Sequence, residues 1–305
     1  MAIVVDPRLD ATTLRDRIYG GDLIVLTRLG AVADLVDHIR AELAALFAPR
    51  DPEAAHRELD RAEMAAILAD WKPAFIHSTT SAKLVCDVIE EAGFSPDETY
   101  FDLPRPRTAF PVGHLTSGIA YAFPWHRDTW YAAPRQQINW WLPVYSLEPD
   151  NAMGFDLANF ARDVPNTSGE FDYYQNNRDR VETTQRPSEE RQSRPGAFDH
   201  DALDEVVVLP PPGAVLLFSG AQLHRSIPNT SARARYSVDF RTVERADVEA
   251  GVGAPAVDVR CSGTSLRDFR RISDGSPVDE ATVRHLHGAP PDGAMLVYGQ
   301  PTAGR

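Results

Sequence analysis

The sequence predicts an α+β protein in which N-terminal helices accompany a β-sandwich or barrel core. In the first third of the chain, apolar residues recur at helical spacing. From Tyr100 onward the apolar runs are short, β-branched and aromatic, and Pro and Gly separate them. Helices followed by many short strands are typical of this fold class.

Three helices are expected in the first third. The span from Val32 to Leu46 repeats its apolar residues with a helical period, and Ser81 to Ala92 does the same before Gly93. Asp51-Pro52-Glu53 has the signature of a helix start, namely an N-cap, a proline at the first helical position and an acid in the first turn. Leu23 to Leu26 is a short strand candidate ahead of these helices.

The second part of the chain contains the other strand candidates. They are Ile119–Phe123, Ile138–Val144, Val206–Leu209, Ala214–Phe218 and Arg235–Val243. The polar stretch from Arg162 to Asp204 is too long for an ordinary connection, so it is either a solvated insertion or a lid over a site.

No linker divides the chain, and we therefore expect one domain over residues 1–305. Within it, residues 1–98 form a mainly helical layer, residues 99–245 form the β core with the polar insertion at 162–204, and residues 246–305 form an irregular segment packed on the barrel.

Composition limits the classes of partner. The 305 residues include 31 Lys+Arg and 44 Asp+Glu, for a net charge of −13. An acidic surface repels phosphate backbones and anionic lipid, so neither nucleic acid nor a membrane is an expected partner. The N-terminus lacks the features of a signal peptide, and the two cysteines are expected to be ordinary thiols in a reducing cytoplasm. A small-molecule substrate is the expected partner, and the oligomeric state stays open.

The pair His126-x-Asp128 is the first sign of chemistry. On a strand, residues two apart point to the same face, so this imidazole and this carboxylate would converge. The pair alone is weak evidence, because such pairs also occur on ordinary surfaces. A second candidate imidazole is His224, which follows an apolar strand and a Ser-Gly turn. With it, the sequence offers two histidines and one carboxylate.

Two histidines and one carboxylate form the facial triad of non-heme Fe(II) oxygenases, which leaves positions for a 2-oxo acid and O2. The distal carboxylate of 2-oxoglutarate needs a cation, and arginine binds carboxylates through two hydrogen bonds. Arg235 lies eleven residues after His224 and begins a strand whose polar face also includes Ser237, Asp239 and Arg241.

The chain resembles the phytanoyl-CoA dioxygenase family of Fe(II)/2-oxoglutarate-dependent oxygenases. The resemblance rests on His126-x-Asp128, on His224-x-Ser226-x-Pro-Asn229, on Arg235 and on the segment from Trp141 to Asn151. It covers roughly residues 23–243 and is most specific over 119–241. After Asn151 the chain departs from the family, which commonly has Gly and then a Pro-Gly-Ser-His-like turn there.

This resemblance implies a double-stranded β-helix, or jelly roll, with flanking N-terminal helices. It implies that the iron ligands are His126, Asp128 and His224, and that the cofactors are Fe(II), 2-oxoglutarate and O2. It also implies that the cosubstrate pocket includes Arg235, Ser237, Trp141 and Ser226. Related halogenases replace the carboxylate ligand with a small residue, so Asp128 favours hydroxylation or another oxidative outcome.

The expected reaction is the oxidation of an unactivated C–H bond of a small natural-product or amino-acid-like substrate, giving succinate and CO2. Hydroxylation is the usual ending, while desaturation, ring closure and epimerisation stay open. The departure after Asn151 does not support a fatty acyl-CoA substrate. Two alternatives remain: an O2-independent, metal-dependent cupin-like isomerase or epimerase, and a non-catalytic jelly-roll binding protein.

Several neighbouring residues carry weaker expectations. Gln137 and Asn139 share a strand face and could reach the pocket. Arg127 lies between the two predicted ligands and is expected to point outward as a salt-bridge partner. Arg105 and Arg107 are either solvated or in contact with an anionic substrate.

Overall fold

The computed structural model describes residues 1–111, 123–182, 194–200, 202 and 204–296. Within them, the N-terminal helices pack on one face of a large, mostly antiparallel sheet, and a smaller sheet faces its other side. The helices of this part are α1 (Ala11–Tyr19), α2 (Gly30–Phe47), α3 (Arg61–Ile76), α4 (Thr79–Glu91), α5 (Tyr173–Glu182), α6 (Arg245–Ala250) and α7 (Glu280–His287).

The strands form two sheets. They are β1 (Ile3–Val5), β2 (Leu23–Leu26), β3 (Thr99–Phe101), β4 (Arg105–Ala109), β5 (Ile138–Pro143), β6 (Met153–Asp156), β7 (Val206–Val208), β8 (Val215–Ser219), β9 (Leu223–Ser226), β10 (Arg235–Glu244) and β11 (Arg270–Arg271). The larger sheet has the order β1-β2-β8-β5-β10-β3-β11, with β4 also paired to β10, and the smaller has the order β7-β6-β9. The predicted α+β class with a two-sheet, jelly-roll core is confirmed.

Side chains alternate across β5 and β10 and divide the core into two layers. On the outer face, the rings of Trp140 and Phe240 stack with centroids 5.4 Å apart and join the apolar cluster of the helices. On the inner face, Trp141 packs with Phe155 and Phe218 in a cluster between the two sheets. The inner face is therefore where residues of both sheets can meet.

Most of the predicted elements are present. The strand at residues 23–26 has the predicted bounds, and the strands at 138–143, 206–208, 215–219 and 235–244 agree with prediction to within one residue at either end. The helices α2 and α4 agree to within two residues. The strand predicted at 119–123 falls outside the described residues, apart from Phe123 at its end.

The helix predicted to start at Asp51 is wrong. Asp51 does accept a hydrogen bond from the backbone nitrogen of Glu53, but only a short 3₁₀ turn at Ala55–Arg57 follows. The helix begins instead after Asp60, which forms a capping box with Glu63. Two N-cap signals stand close together here, and the reciprocal hydrogen bonds of the second one favour it.

The described parts of the polar insertion are hydrogen-bonded to each other and to the segment just before His126. The backbone nitrogen of Thr167 donates to the carbonyl oxygen of Gly196 at 3.1 Å, and that of Ala197 donates to Trp125 at 2.9 Å. This part of the insertion is therefore anchored one residue away from His126. None of the helices in the described part of the chain combines the length and the apolar character that a membrane span requires.

Candidate metal and cosubstrate site

Backbone pairing brings the two predicted histidine ligands together. The backbone nitrogen of each donates to the carbonyl oxygen of the other at 2.9 Å, so His126 and His224 form an antiparallel bridge. Asp128 does not continue a strand as predicted. It begins a 3₁₀ turn at Asp128–Tyr131, and Arg127 keeps an extended backbone before it. Because Arg127 is extended, the side chains of His126 and Asp128 still lie on one side of the backbone and converge, as their two-residue spacing predicts.

The three side chains converge on one point. Oδ1 of Asp128 lies 3.6 Å from Nε2 of His126 and 4.0 Å from Nε2 of His224. One ligand atom from each residue lies within 4.8 Å of the others, a grouping that could hold a metal ion. The histidines are buried and Asp128 is half-buried, which leaves an approach on the carboxylate side.

Backbone carbonyls set the tautomer of both histidines. Nδ1 of His126 lies 2.8 Å from the carbonyl oxygen of Pro124, and Nδ1 of His224 lies 2.8 Å from that of Gln222. A carbonyl oxygen only accepts, so each Nδ1 carries the proton and donates it. Each Nε2 then keeps its lone pair directed toward Asp128, which is the arrangement that metal-binding histidines use.

Electrostatics keep these groups in their metal-binding protonation states. Burial, followed by repulsion from His126, lowers the pKa of His224 to about 3. Burial acts to raise the pKa of Asp128, but the contact with His126, the positive charge that His224 carries in acid and the Asn139 hydrogen bond together lower it to about 2. At neutral pH the site therefore offers a neutral His224 imidazole beside an ionised carboxylate.

Aromatic rings fix the histidines in place. His224 contacts Phe218 edge-on at a centroid distance of 5.0 Å and stacks on Phe155 at 6.0 Å. The ring of His126 lies 5.2 Å from that of Phe123 and 5.6 Å from that of Tyr131. Because Tyr131 also donates to the carbonyl oxygen of Pro195, it links the site wall to the polar insertion.

Arg235 lies on the inner face of β10 and is buried, with 6% of its surface exposed. Its Nη1 donates to the carbonyl oxygens of Asn151 and Ala152, at 3.0 and 3.2 Å. Its Nε is buried and has no hydrogen-bond partner among the described residues. The ring of Trp141 lies 5.9 Å from the guanidinium carbon. Burial, followed by repulsion from Arg107, lowers the pKa of Arg235 to about 10, so it remains a cation at neutral pH.

The two predicted serines are placed differently. Ser237 lies two residues beyond Arg235 on the same face, and its buried Oγ also has no partner in the described part of the chain. Buried polar atoms are rarely left without partners, and a bound ligand would supply partners for both. Ser226 lies two residues beyond His224 on β9, pairs with Met153 and is half-buried, and its predicted role stays a prediction.

The structure also bears on the weaker expectations. Gln137 and Asn139 do reach the site, where both amides donate to Oδ2 of Asp128. The expectation that Arg127 points outward is wrong, because its side chain is buried. It donates to Asp258 and to the carbonyl oxygens of Asn159, Phe160, Arg162 and Ala221. Sequence offers no signal for this inward path, since the acceptors are mostly backbone atoms from distant segments.

Neither a protein-family model nor the sequence of a curated protein matches the chain. Among solved structures it is similar to EvdO2 from Micromonospora carbonacea var. aurantiaca complexed with 2-oxoglutarate, at 15% identity over 78% of this chain and 92% of that chain, with a TM-score of 0.46. It is also similar to EctD from S. alaskensis with 2-oxoglutarate and 5-hydroxyectoine, at 17% identity over 79% and 78% of the two chains, with a TM-score of 0.46.

A third similar structure is the nickel complex of the non-heme monooxygenase ThoJ, at 12% identity over 90% of this chain and 94% of that chain, with a TM-score of 0.42. Identities and TM-scores this low do not define what this chain does. Its activity has to be argued from its own residues.

Proposed function

We propose that the protein is a non-heme Fe(II)- and 2-oxoglutarate-dependent oxygenase that oxidises an unactivated C–H bond of a small molecule, with hydroxylation as the outcome. The observation that carries the proposal is the pairing of two donor sets on one interior surface. Three metal-type ligand atoms converge around Asp128, and Arg235 and Ser237 present buried hydrogen-bond donors that have no partner among the described residues.

Strand β5 connects the two donor sets. Asn139 and Trp141 lie on the same face of this strand because they are two residues apart. Asn139 donates to Asp128 at 2.7 Å, and Trp141 packs beside Arg235. A molecule that touched both Arg235 and the metal ligands would therefore lie along one side of β5.

The donor chemistry fits the proposed cofactors. Two neutral imidazoles and one carboxylate suit Fe(II) and leave coordination positions open. We assign the metal to His126, Asp128 and His224, and the distal carboxylate of 2-oxoglutarate to Arg235 and Ser237, with Trp141 and Ser226 beside it. When bound, iron and 2-oxoglutarate supply the oxidising chemistry, in which O2 and the cosubstrate are consumed, succinate and CO2 are released, and the substrate gains one oxygen atom.

The protein's own residues prepare this site. The carbonyl oxygens of Pro124 and Gln222 hold both histidines with Nε2 exposed to the metal position. Phe123, Phe155 and Phe218 shield the imidazoles from water. Burial of Arg235 strengthens its attraction for a carboxylate, since charges interact more strongly at low dielectric.

Arg235 is also the residue that separates this proposal from its alternatives. A metal-dependent isomerase would need neither Arg235 nor 2-oxoglutarate, and a non-catalytic binding protein would need no bound iron. The motif spacing favours membership of the phytanoyl-CoA dioxygenase family.

Succinate formation tests the proposal without a known substrate. The protein would be incubated in air with Fe(II), ascorbate and 2-oxoglutarate, and succinate would be measured by mass spectrometry. We expect slow formation that requires both Fe(II) and O2 and that is lost in His224→Ala. A wild-type protein that holds iron and forms no succinate would contradict the proposal and support the isomerase.

A further inference from the structure

The two oxygens of the Asp128 carboxylate have different environments. Oδ1 faces Nε2 of both histidines at 3.6 and 4.0 Å. Oδ2 points the other way and accepts two hydrogen bonds, from Nε2 of Gln137 at 2.9 Å and from Nδ2 of Asn139 at 2.7 Å. The carboxylate is thus held by one oxygen, and the other oxygen is presented to the metal position.

Gln137 and Asn139 also hold each other. Nε2 of Gln137 donates to Oδ1 of Asn139 at 2.8 Å, which closes a triangle of hydrogen bonds with Asp128. Because Oδ1 of Asn139 accepts within this triangle, its amino group must face the carboxylate. Both amides are buried, with 3% of each residue exposed, so water does not compete for these bonds. We call Gln137 and Asn139 the amide clamp.

Gly220 makes room for the clamp. A Cβ atom at this position would lie 3.2 Å from Nε2 and 3.3 Å from Cβ of Gln137, which is tighter than ordinary contact. The backbone of Gly220 also donates to the carbonyl oxygen of Gln137 at 2.9 Å and accepts from Thr129 at 3.2 Å. The Ser-Gly turn before His224 therefore positions Gln137 as well as the histidine.

We propose that the amide clamp makes Asp128 a one-oxygen metal ligand and thereby protects a coordination position for other ligands. A carboxylate can bind a metal through one oxygen or two. Offering both oxygens would require Oδ2 to leave both amides, and each hydrogen bond to a charged group opposes this. Gln137 and Asn139 are positioning residues, since they act through Asp128. This inference rests on the proposed function, because it assumes that the triad binds a metal.

Cobalt binding tests the proposal independently of turnover. Co(II) would be titrated anaerobically into the wild-type protein, Asn139→Leu and Gln137→Met, with its visible d–d absorption recorded, because that absorption reports the number of ligands. Loss of outer hydrogen bonds to a metal ligand weakens binding by about 10- to 100-fold, and we expect that loss here. We also expect the absorption of the bound ion to change as the second oxygen becomes available.

Asn177→Leu is the matched control. Asn177 is another buried amide, but it donates to the carbonyl oxygen of Met295, away from the triad. Its replacement should leave both the affinity for Co(II) and the absorption unchanged. Thermal unfolding of each metal-free variant shows whether it is folded. If Asn139→Leu does not fold, Gln137→Met and Gly220→Ala, which displaces Gln137, test the same clamp.

The outcomes separate the clamp from the proposed function. Wild-type affinity and absorption in folded clamp variants would overturn the clamp and leave the metal site intact. Weaker binding with a wild-type spectrum would also overturn it, because Asp128 would still offer one oxygen. A wild-type protein that binds no Co(II) would overturn the metal site and the clamp together.

Discussion

Arg127 and Arg235 are both buried, with 1% and 6% of their surfaces exposed, yet their surroundings differ. Each N–H of Arg127 has an acceptor, since its guanidinium donates to Asp258 and to four carbonyl oxygens. Arg235 donates only through Nη1, and its Nε has no partner within the described residues. The fold thus saturates the buried charge of Arg127, whereas Arg235 keeps an unpaired donor among the described residues.

The regions around Arg127 and Arg235 differ in the same way as the two side chains do. Behind the metal ligands, Asp258 also accepts from Trp130 at 2.8 Å and from the backbone of Val164, so the C-terminal segment is tied to the barrel there. In the pocket, Ser237 is also without a partner in the described part of the chain. Every N–H of Arg127 has its acceptor without a ligand, and we expect the donors of Arg235 and Ser237 to be completed by an organic acid.

The largest effect on stability is expected from replacing Arg127. Arg127→Met leaves Asp258 as a buried charge without its cation, which costs about 3–5 kcal/mol of unfolding free energy. Urea unfolding monitored by circular dichroism would measure this loss. Arg245→Met is the control, because Arg245 also pairs with an acid, Glu98, but at an exposed position where solvent screens the pair and it contributes little to stability. An equal loss in both variants would contradict the comparison.

Arg235→Met should have the reverse effect: the fold should stay stable, and 2-oxoglutarate should bind more weakly. Hydrogen bonds to a charged group contribute about 1.5–3 kcal/mol, so we expect the affinity for 2-oxoglutarate to fall by about 10- to 100-fold. Replacing a buried charge with an apolar side chain is often neutral, and the stability of the ligand-free protein should change by less than about 1 kcal/mol. Calorimetric titration and urea unfolding would measure the two quantities. A large loss of stability with unchanged affinity would make Arg235 structural.

Lys72 is a further cation whose effect on the stability of the fold should depend on pH. Burial, followed by repulsion from Arg107, lowers the pKa of Lys72 from 10.5 to about 7. Between these values the unfolded chain binds more protons, so the contribution of Lys72 to stability rises with pH over this window. Lys72→Met should therefore stabilise the protein at pH 7 by about 1 kcal/mol or more, and the gain should vanish near pH 10.5. Unfolding at several pH values would measure it.

Lys83→Met is the control for this pH dependence, because Lys83 is exposed on α4 and pairs with Asp87. It should show no gain at pH 7. A gain of the same size in both variants would mean that burial beside Arg107 does not lower the pKa of Lys72.

Ser237→Ala should have the smallest effect. One neutral hydrogen bond contributes about 0.5–1.5 kcal/mol, so the affinity for 2-oxoglutarate should fall by roughly 2- to 10-fold without loss of stability. Thr108→Val is matched to it, since Oγ1 of Thr108 is also buried without a described partner, but this residue pairs with Tyr236 on the opposite face. Titration of both variants would measure the difference, and an equal fall in both would exclude a specific role for Ser237.

The residues of the candidate metal site could be predicted from sequence, and their geometry only in part. His126, Asp128 and His224 are recognisable because metal chemistry restricts the residue types and the motif of the family that the chain resembles restricts their spacing. His126 and Asp128 converge across the extended Arg127 as their spacing predicts, but a 3₁₀ turn at Asp128 ends the expected strand there. Turns of this kind are set by contacts with distant segments, here the hydrogen bond from Thr129 to Gly220, which local sequence does not reveal.

The bounds of the strands were predicted more accurately than the start of the helix predicted at Asp51. Strands such as β2 and β5 are buried runs of apolar residues flanked by turn residues, so pattern alone defines them. The helix start at Asp51 failed because two capping signals compete, and only the hydrogen bonds of the folded chain decide between Asp51 and Asp60. The inward path of Arg127 could not be predicted, because its acceptors are almost all backbone oxygens.

The central claim is that the triad and Arg235 together hold iron and 2-oxoglutarate. The most direct test is anaerobic addition of Fe(II) and then 2-oxoglutarate, followed by the visible metal-to-ligand charge-transfer band. The account predicts a band that saturates with 2-oxoglutarate, needs more of it in Arg235→Met and is absent in His224→Ala. A wild-type protein that binds Fe(II) and shows no band at saturating 2-oxoglutarate would contradict it.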